Sequence, residues 1–221
     1  MKRVLQCLIG ILACSGVATC FAQTNAESLF YAGCSAFNAR NYDAALTNLT
    51  SSAELNPWNA DTYNMRGRTK WWLRDYSGAI ADYDRAIALN PKCGGYYSNR
   101  GEAKYTLKKV PEALADYNKC IELDPGNAQA YFNRGTLKIL CLTNYTEAIT
   151  DFTKAIELHS DPHEEDIFLW RGNAKLQLKD YAGAIVDYSK SIELNPKGGC
   201  SQDAITNLAT ARKQLRESEK K

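Results

Sequence analysis

Residues 63–70 read YNMRGRTK, and the same frame returns as YSNRGEAK at 97–104, YFNRGTLK at 131–138 and FLWRGNAK at 168–175. A second phrase closes each interval: AELNP at 53–57, AIALNP at 86–91, CIELDP at 120–125, AIELHS at 155–160 and SIELNP at 191–196. Pro57, Pro91 and Pro125 stand 34 residues apart, and Pro196 lies 71 further on. Self-similarity at a fixed period of this size marks stacked supersecondary units, none of which covers its own apolar side alone.

Working outward, the units are Ala26–Asn59, Ala60–Cys93, Gly94–Asn127, Ala128–Glu164 and Glu165–Gly198. The fourth is longer, by one residue between Gly135 and Ala148 and two around Pro162-His163. Each unit predicts two helices. In the second unit Tyr63, Gly67, Trp71 and Leu73 precede a polar turn at Arg74-Asp75. Tyr76, Ala79, Ile80, Tyr83, Ala86 and Ile87 then follow at helical spacing. Asn90-Pro91 ends that helix, because proline cannot continue it. Pro111 sits near the start of a second helix, where proline is tolerated.

Gly33, Gly67, Gly101, Gly135 and Gly172 recur in the first helices, and Ala45, Ala79, Ala113, Ala148 and Ala184 in the second. Glycine inside a helix costs roughly 1 kcal/mol relative to alanine. Its recurrence predicts a place where two helix backbones approach more closely than a side chain allows.

The pattern resembles the tetratricopeptide repeat (TPR) family. Gly67, Ala79, Tyr83, Ala86 and Pro91 stand at that family's signature positions, as do Gly101, Ala113, Tyr117 and Pro125. The first unit departs most, with Leu49 for the aromatic and Ser52 for the small alanine. The resemblance covers residues 26–198 and implies an all-α fold: a right-handed superhelical solenoid of about five antiparallel helix pairs with a concave groove. Residues 199–216 place Ala204, Leu208, Ala211 and Leu215 on one face, as the wet-sided end helix of an array does, and 217–221 read as a frayed tail.

The first 22 residues differ in kind. Lys2 and Arg3 precede an apolar run from Val4 to Ala18, and small residues at Cys20 and Ala22 suit a cut after Ala22. This is the layout of a secretory signal peptide, and its apolar run is short of a membrane span. A periplasmic or secreted location is expected. The alternative is a lipoprotein anchored through Cys20 and acting as an envelope assembly factor, against which Thr19 stands where a smaller residue normally precedes such a cysteine. Of eight cysteines, Cys34, Cys93, Cys120, Cys141 and Cys200 follow the leader, an odd number at irregular spacing. Cys93 with Cys120 is the pair to test for a bridge. The chain carries 27 basic and 25 acidic residues, a balance that gives no electrostatic reason to expect nucleic acid.

Arg66, Arg100, Arg134 and Arg171 precede the glycine, and Asp82, Asp116, Asp151 and Asp187 precede the aromatic of the second helix. The first unit has neither, carrying Ala32 and Asn48 instead. Joint presence and joint absence predict structural ion pairs, since a planar guanidinium meets a carboxylate with two hydrogen bonds. Lys70, Lys104, Lys138 and Lys175 compete for the same aspartates.

By family analogy the groove is lined from positions two, five, nine, twelve and thirteen of each first helix. The resemblance thus implies a ligand groove of Phe30, Cys34, Phe37, Asn64, Arg68, Trp71, Trp72, Ser98, Glu102, Tyr105, Phe132 and Thr136. Paired tryptophans beside an arginine suit a binding hot spot, although Trp72 also suits the space between helices. Trp71→Ala is expected to weaken partner binding without unfolding the array. Some family members hold a carboxylate with a lysine-asparagine clamp. Asn99 and Asn133 match it, but the lysines do not follow.

His159 and His163 share one acidic turn with Asp161, Glu164, Glu165 and Asp166. Imidazoles with carboxylates can ligate zinc, but the spacing matches no zinc signature and a solvated turn is the simpler reading. No metal, no cofactor and no catalytic residue is expected, for there is no phosphate loop, GxSxG elbow or HExxH. The expectation is a non-enzymatic scaffold for a peptide or protein partner, with a metal-dependent enzyme using His159 and His163 as the remote alternative.

Overall fold

The computed structural model describes residues 24–158 and 164–220. The leader, the Cys20 anchor and the His159–His163 turn lie outside the described residues. Among the described residues there is no strand, and the helices follow one another as α1 (24–38), α2 (Tyr42–Leu55), α3 (Ala60–Trp72), α4 (Tyr76–Leu89), α5 (Gly94–Thr106), α6 (Val110–Leu123), α7 (Ala128–Leu142), α8 (Tyr145–Glu157), α9 (Glu164–Gln177), α10 (Tyr181–Leu194) and α11 (Gly199–Ser218). No helix among them is long and apolar enough to cross a membrane.

Packing divides the described residues into two compact units, one ending at Leu107 and the other beginning at Lys108. In the first, α2 packs on α3, α3 on α4 and α4 on α5, and α3 also touches α5. In the second the same succession runs from α6 to α11, with α7 touching α9 and α9 touching α11. Within each unit successive helices, from α2 to α5 and from α6 to α11, pack against one another, as expected of a chain of hairpins.

The hairpin turns are built alike. Arg40, Arg74, Lys108, Thr143 and Lys179 each take a left-handed conformation, with φ between 51° and 63°. That single residue stops the first helix, and the next amide reaches back to an orphan carbonyl, as Asp75 N–H does to Lys70 O at 2.9 Å. The following side chain then caps the second helix. Asn41 accepts from Ala44 N–H, Asp75 from Gly78, Asn144 from Glu147 and Asp180 from Gly183. Lys109 supplies no such cap at α6, where Pro111 in the first turn removes one of the orphan N–H donors. The added residue of the fourth hairpin lengthens α7, which at 15 residues exceeds the 13 of α3 and α5.

The glycines answer to a different neighbour than expected. A Cβ on Gly67 would lie 2.7 Å from Tyr83 Cε1, one on Gly135 2.9 Å from Phe152 Cε1, and one on Gly172 2.8 Å from Tyr188 Cε1. The close approach is therefore a ring pressed flat on the helix, not a second backbone. In the first hairpin Leu49 takes the ring's place, with Cγ 2.6 Å from a Cβ on Gly33. Tyr83, Phe152 and Tyr188 are thereby almost wholly buried beside Ala79, Ala148 and Ala184. Ser52 is also at home, since its buried hydroxyl donates to Ala26 O at 2.8 Å. At the far end Leu169, Ala184, Tyr188, Ala204 and Ala211 form one core cluster, which is how α11 closes the second unit. The end helix continues through Glu217 to Ser218, past the boundary at 216.

Candidate functional site

In the first unit five rings form a continuous cluster where the α1–α2 and α3–α4 turns lie side by side. Phe37 meets Tyr42 edge-on at 5.6 Å, and Tyr42 stacks on Trp72 at 5.5 Å with planes 5° apart. Trp72 meets Trp71 edge-on at 5.3 Å, and Trp71 meets Tyr76 at 6.1 Å. Adjacent helical residues point about 100° apart, so Trp71 and Trp72 have different fates. Trp71 is half-buried against Ala79, Tyr83 and Ala103. Trp72 is 53% exposed, which makes it surface and not inter-helix packing. The Trp71 indole N–H is buried and meets no acceptor among the described residues.

Charge surrounds the rings. The Arg68 guanidinium lies 4.9 Å from the Phe37 ring centre and donates to Met65 Sδ at 3.4 Å. Burial pushes the Glu102 carboxyl above its ordinary range, with Arg68 opposing more weakly. Burial likewise raises the Tyr83 phenol, and the Glu102 charge adds to it. The Cys34 thiol is raised by burial, with Arg68 and Asp61 both within electrostatic reach. Asn64 accepts from Asn99 Nδ2 at 2.9 Å, and Tyr96 O–H donates to Asp61 at 2.5 Å.

The remaining residues of the implied groove are placed less openly. Ser98 is buried. Phe30 and Tyr105 are half-buried, and Phe30 pairs edge-on with Tyr31. In the second unit Phe132 leans on Phe152 at 5.9 Å and packs against the Ala148–Phe152–Ala155–Ile167 core, while Thr136 bonds back to Phe132 O. The structure thus gathers Phe37, Arg68, Trp71 and Trp72 and adds Tyr42 and Tyr76, which sequence reasoning missed. A signal was there: tyrosine follows the capping residue at Asn41-Tyr42, Asp75-Tyr76, Asn144-Tyr145 and Asp180-Tyr181.

Three arginines make one repeated arrangement. Arg66 Nε and Nη2 donate to Asp82 at 2.9 and 2.6 Å, Arg134 to Asp151 at 3.0 and 2.6 Å, and Arg171 to Asp187 at 2.9 and 2.7 Å. The lysines join these pairs and do not compete: Lys70, Lys138 and Lys175 each lie 2.8 Å from the second oxygen of the same aspartate. A further nitrogen of the arginine reaches the preceding hairpin, from Arg134 to Asn118 and from Arg171 to Thr153; Arg100 likewise reaches Asp84 at 2.7 Å. Asp116 is buried in the second unit. Each of these arginines also lies over the aromatic three residues before it, at 5.2–5.6 Å. Their donors point at partners within the chain.

Asn133 accepts from Gln129 at 2.8 Å, so both clamp-like asparagines are held by other amides. Among the described residues no group of three or more His, Cys, Asp and Glu can hold a metal ion. Cys34, Cys93 and Cys141 are thiols, and Cys120 is buried in α6. An open cleft of about 520 Å³ between the α9–α10 turn and the end of α11, lined by Lys179, Tyr181, Gln214 and Leu215 among others, contains none of these candidate residues.

Comparison with known proteins fits this geometry. A tetratricopeptide repeat family model matches residues 64–128 and 142–198, and a second covers 116–150. No curated protein sequence matches the chain. Among solved structures, pilF of Pseudomonas aeruginosa has a TM-score of 0.70 at 17% identity, over 89% of this chain and 92% of that one. TTC0263, a TPR protein of Thermus thermophilus, has a TM-score of 0.64 at 21% identity, over 84% and 98%. The first TPR of Spaghetti (RPAP3), bound to the HSP90 peptide SRMEEVD, has a TM-score of 0.52 at 29% identity, over 53% and 93%. The repeat period, the ring-over-glycine packing and the family match agree: this chain belongs to the tetratricopeptide repeat family.

Proposed function

We propose that the chain is a non-enzymatic interaction scaffold that holds a peptide or protein partner on the aromatic surface of its first unit. The observation that carries this reading is the Phe37–Tyr42–Trp72–Trp71–Tyr76 cluster, whose outermost indole is stacked and rigid yet half in water. Fixed aromatic area of this kind loses little conformational freedom on binding, which is why tryptophan and tyrosine dominate hot spots. TPR proteins bind protein or peptide partners, and a neighbour in structure, the first TPR of Spaghetti (RPAP3), holds a peptide.

Trp72→Ala is the informative substitution. Trp71 packs on core residues, so its removal would confound binding with stability. The test is affinity capture from the native envelope fraction, wild type against Trp72→Ala, with circular dichroism as the folding control. A partner that co-purifies equally with both proteins would defeat the assignment. We also propose export, on the strength of Lys2, Arg3 and the apolar run up to Ala18. Mass spectrometry of the mature N-terminus decides between release after Ala22 and a lipid on Cys20.

A further inference from the structure

Glu102 stands out from the other buried carboxylates. Asp82, Asp151 and Asp187 each hold an arginine and a lysine within 3 Å. Glu102 sits half-buried on α5 with no cation within 4 Å among the described residues. Arg68 is the nearest candidate, but its guanidinium is turned over Phe37 and bonded to Met65 Sδ. Leaving a carboxylate partly dehydrated and unpaired costs free energy that a bound cation would recover.

The charges at the groove positions of the first unit share this bias. Glu27, Asp61 and Glu102 are the acidic residues there and Arg68 is the single base, in a chain whose overall balance is slightly basic. Arg68 and Asp61 both lie near enough to act on the Cys34 thiol, and Arg68 and Glu102 near enough to act on the Tyr83 phenol. Beside them the exposed Trp72 face, stacked on Tyr42, attracts a cation through its ring quadrupole and covers the methylene stem of a long basic side chain.

We propose that the occupant of this groove is a basic peptide segment. One lysine or arginine side chain pairs with Glu102, and an apolar neighbour lies on the Tyr42–Trp72 stack. This rests on the scaffold reading above and adds the chemistry of the partner. The acidic peptide held by the structural neighbour is the opposite charge type.

The test uses fluorescein-labelled peptides of sequence Gly-Phe-Xaa-Phe-Gly, with lysine, norleucine or glutamate at the centre, read by fluorescence anisotropy. The proteins are wild type, Glu102→Gln and Trp72→Ala, each checked by circular dichroism. The lysine peptide should bind wild type at least tenfold more tightly than the norleucine peptide, and the preference should shrink with salt. Glu102→Gln should abolish the preference while leaving norleucine binding in place. Equal or tighter binding of the norleucine or glutamate peptide, with Trp72→Ala still weakening all three, overturns this inference and leaves the scaffold reading standing. If Trp72→Ala changes nothing, or the lysine peptide does not saturate at millimolar concentration, the groove assignment itself falls, and this inference with it.

Discussion

Ser52 and Ser191 occupy the same place in their repeats, where Ala86, Cys120 and Ala155 stand in the others, and both are 1% exposed. Their hydroxyls have opposite circumstances. Ser52 Oγ donates to Ala26 O at 2.8 Å and lies 3.4 Å from Thr62 Oγ1, whereas Ser191 Oγ is buried with no partner among the described residues. Alanine at Ser52 removes a buried hydrogen bond worth about 1 kcal/mol. Alanine at Ser191 removes an unsatisfied hydroxyl whose burial costs roughly 1–2 kcal/mol. Alanine's better helix propensity adds about 0.5 kcal/mol to both variants and cancels in the comparison. Ser191→Ala should therefore be the more stable variant by about 2 kcal/mol, or roughly 4–8 °C in Tm for a chain of this size. Ser191→Ala should exceed wild type, and Ser52→Ala should fall slightly below it. Urea unfolding followed by far-ultraviolet circular dichroism measures both, and hydrogen exchange places each effect in its own hairpin. Equal shifts of the same sign in the two variants would refute the hydrogen-bond assignment.

Asp187→Ala should destabilise the second unit by about 3 kcal/mol, since it strands Arg171 and Lys175, and both cations are exposed enough to recover some hydration. Asp84→Ala, which breaks an exposed pair with Arg100, should cost under about 1 kcal/mol; a similar cost for the two in urea unfolding would contradict the burial argument. Glu102 has its folded-state pKa raised, so its linkage favours the folded state below the ordinary glutamate range and fades as pH rises through the shifted value. Glu102→Gln should accordingly raise the urea midpoint at pH 7, and the gain should disappear toward pH 4. A gain that grows on acidification would reverse the sign of the assignment.

How much of this was legible beforehand depends on the range of the interaction. The order of helices could be read from the chain because period, turn and cap are local: Asp75 caps the amide three residues on, and Arg74 turns the chain within one residue. The arginine-aspartate recurrence was also visible. Its geometry was not, because the lysine on the second oxygen and the reach to the preceding hairpin depend on how helices pack. The glycines were seen, but their neighbour was read as a backbone when it is a ring. The site was legible only in outline. Trp71 and Trp72 were found as a pair, while Tyr42, which carries the stack, joins them from another hairpin.

The sequence by itself determined the helix pairs, their 34-residue period and the small residues that admit the rings, because these follow from periodicity and from the conformational limits of proline and glycine. Tertiary structure alone decided which tryptophan faces water, which serine is satisfied and which carboxylate lacks a counter-ion. Those outcomes are set by contacts between residues far apart in the chain. The same residue type at the same repeat position therefore meets different neighbours.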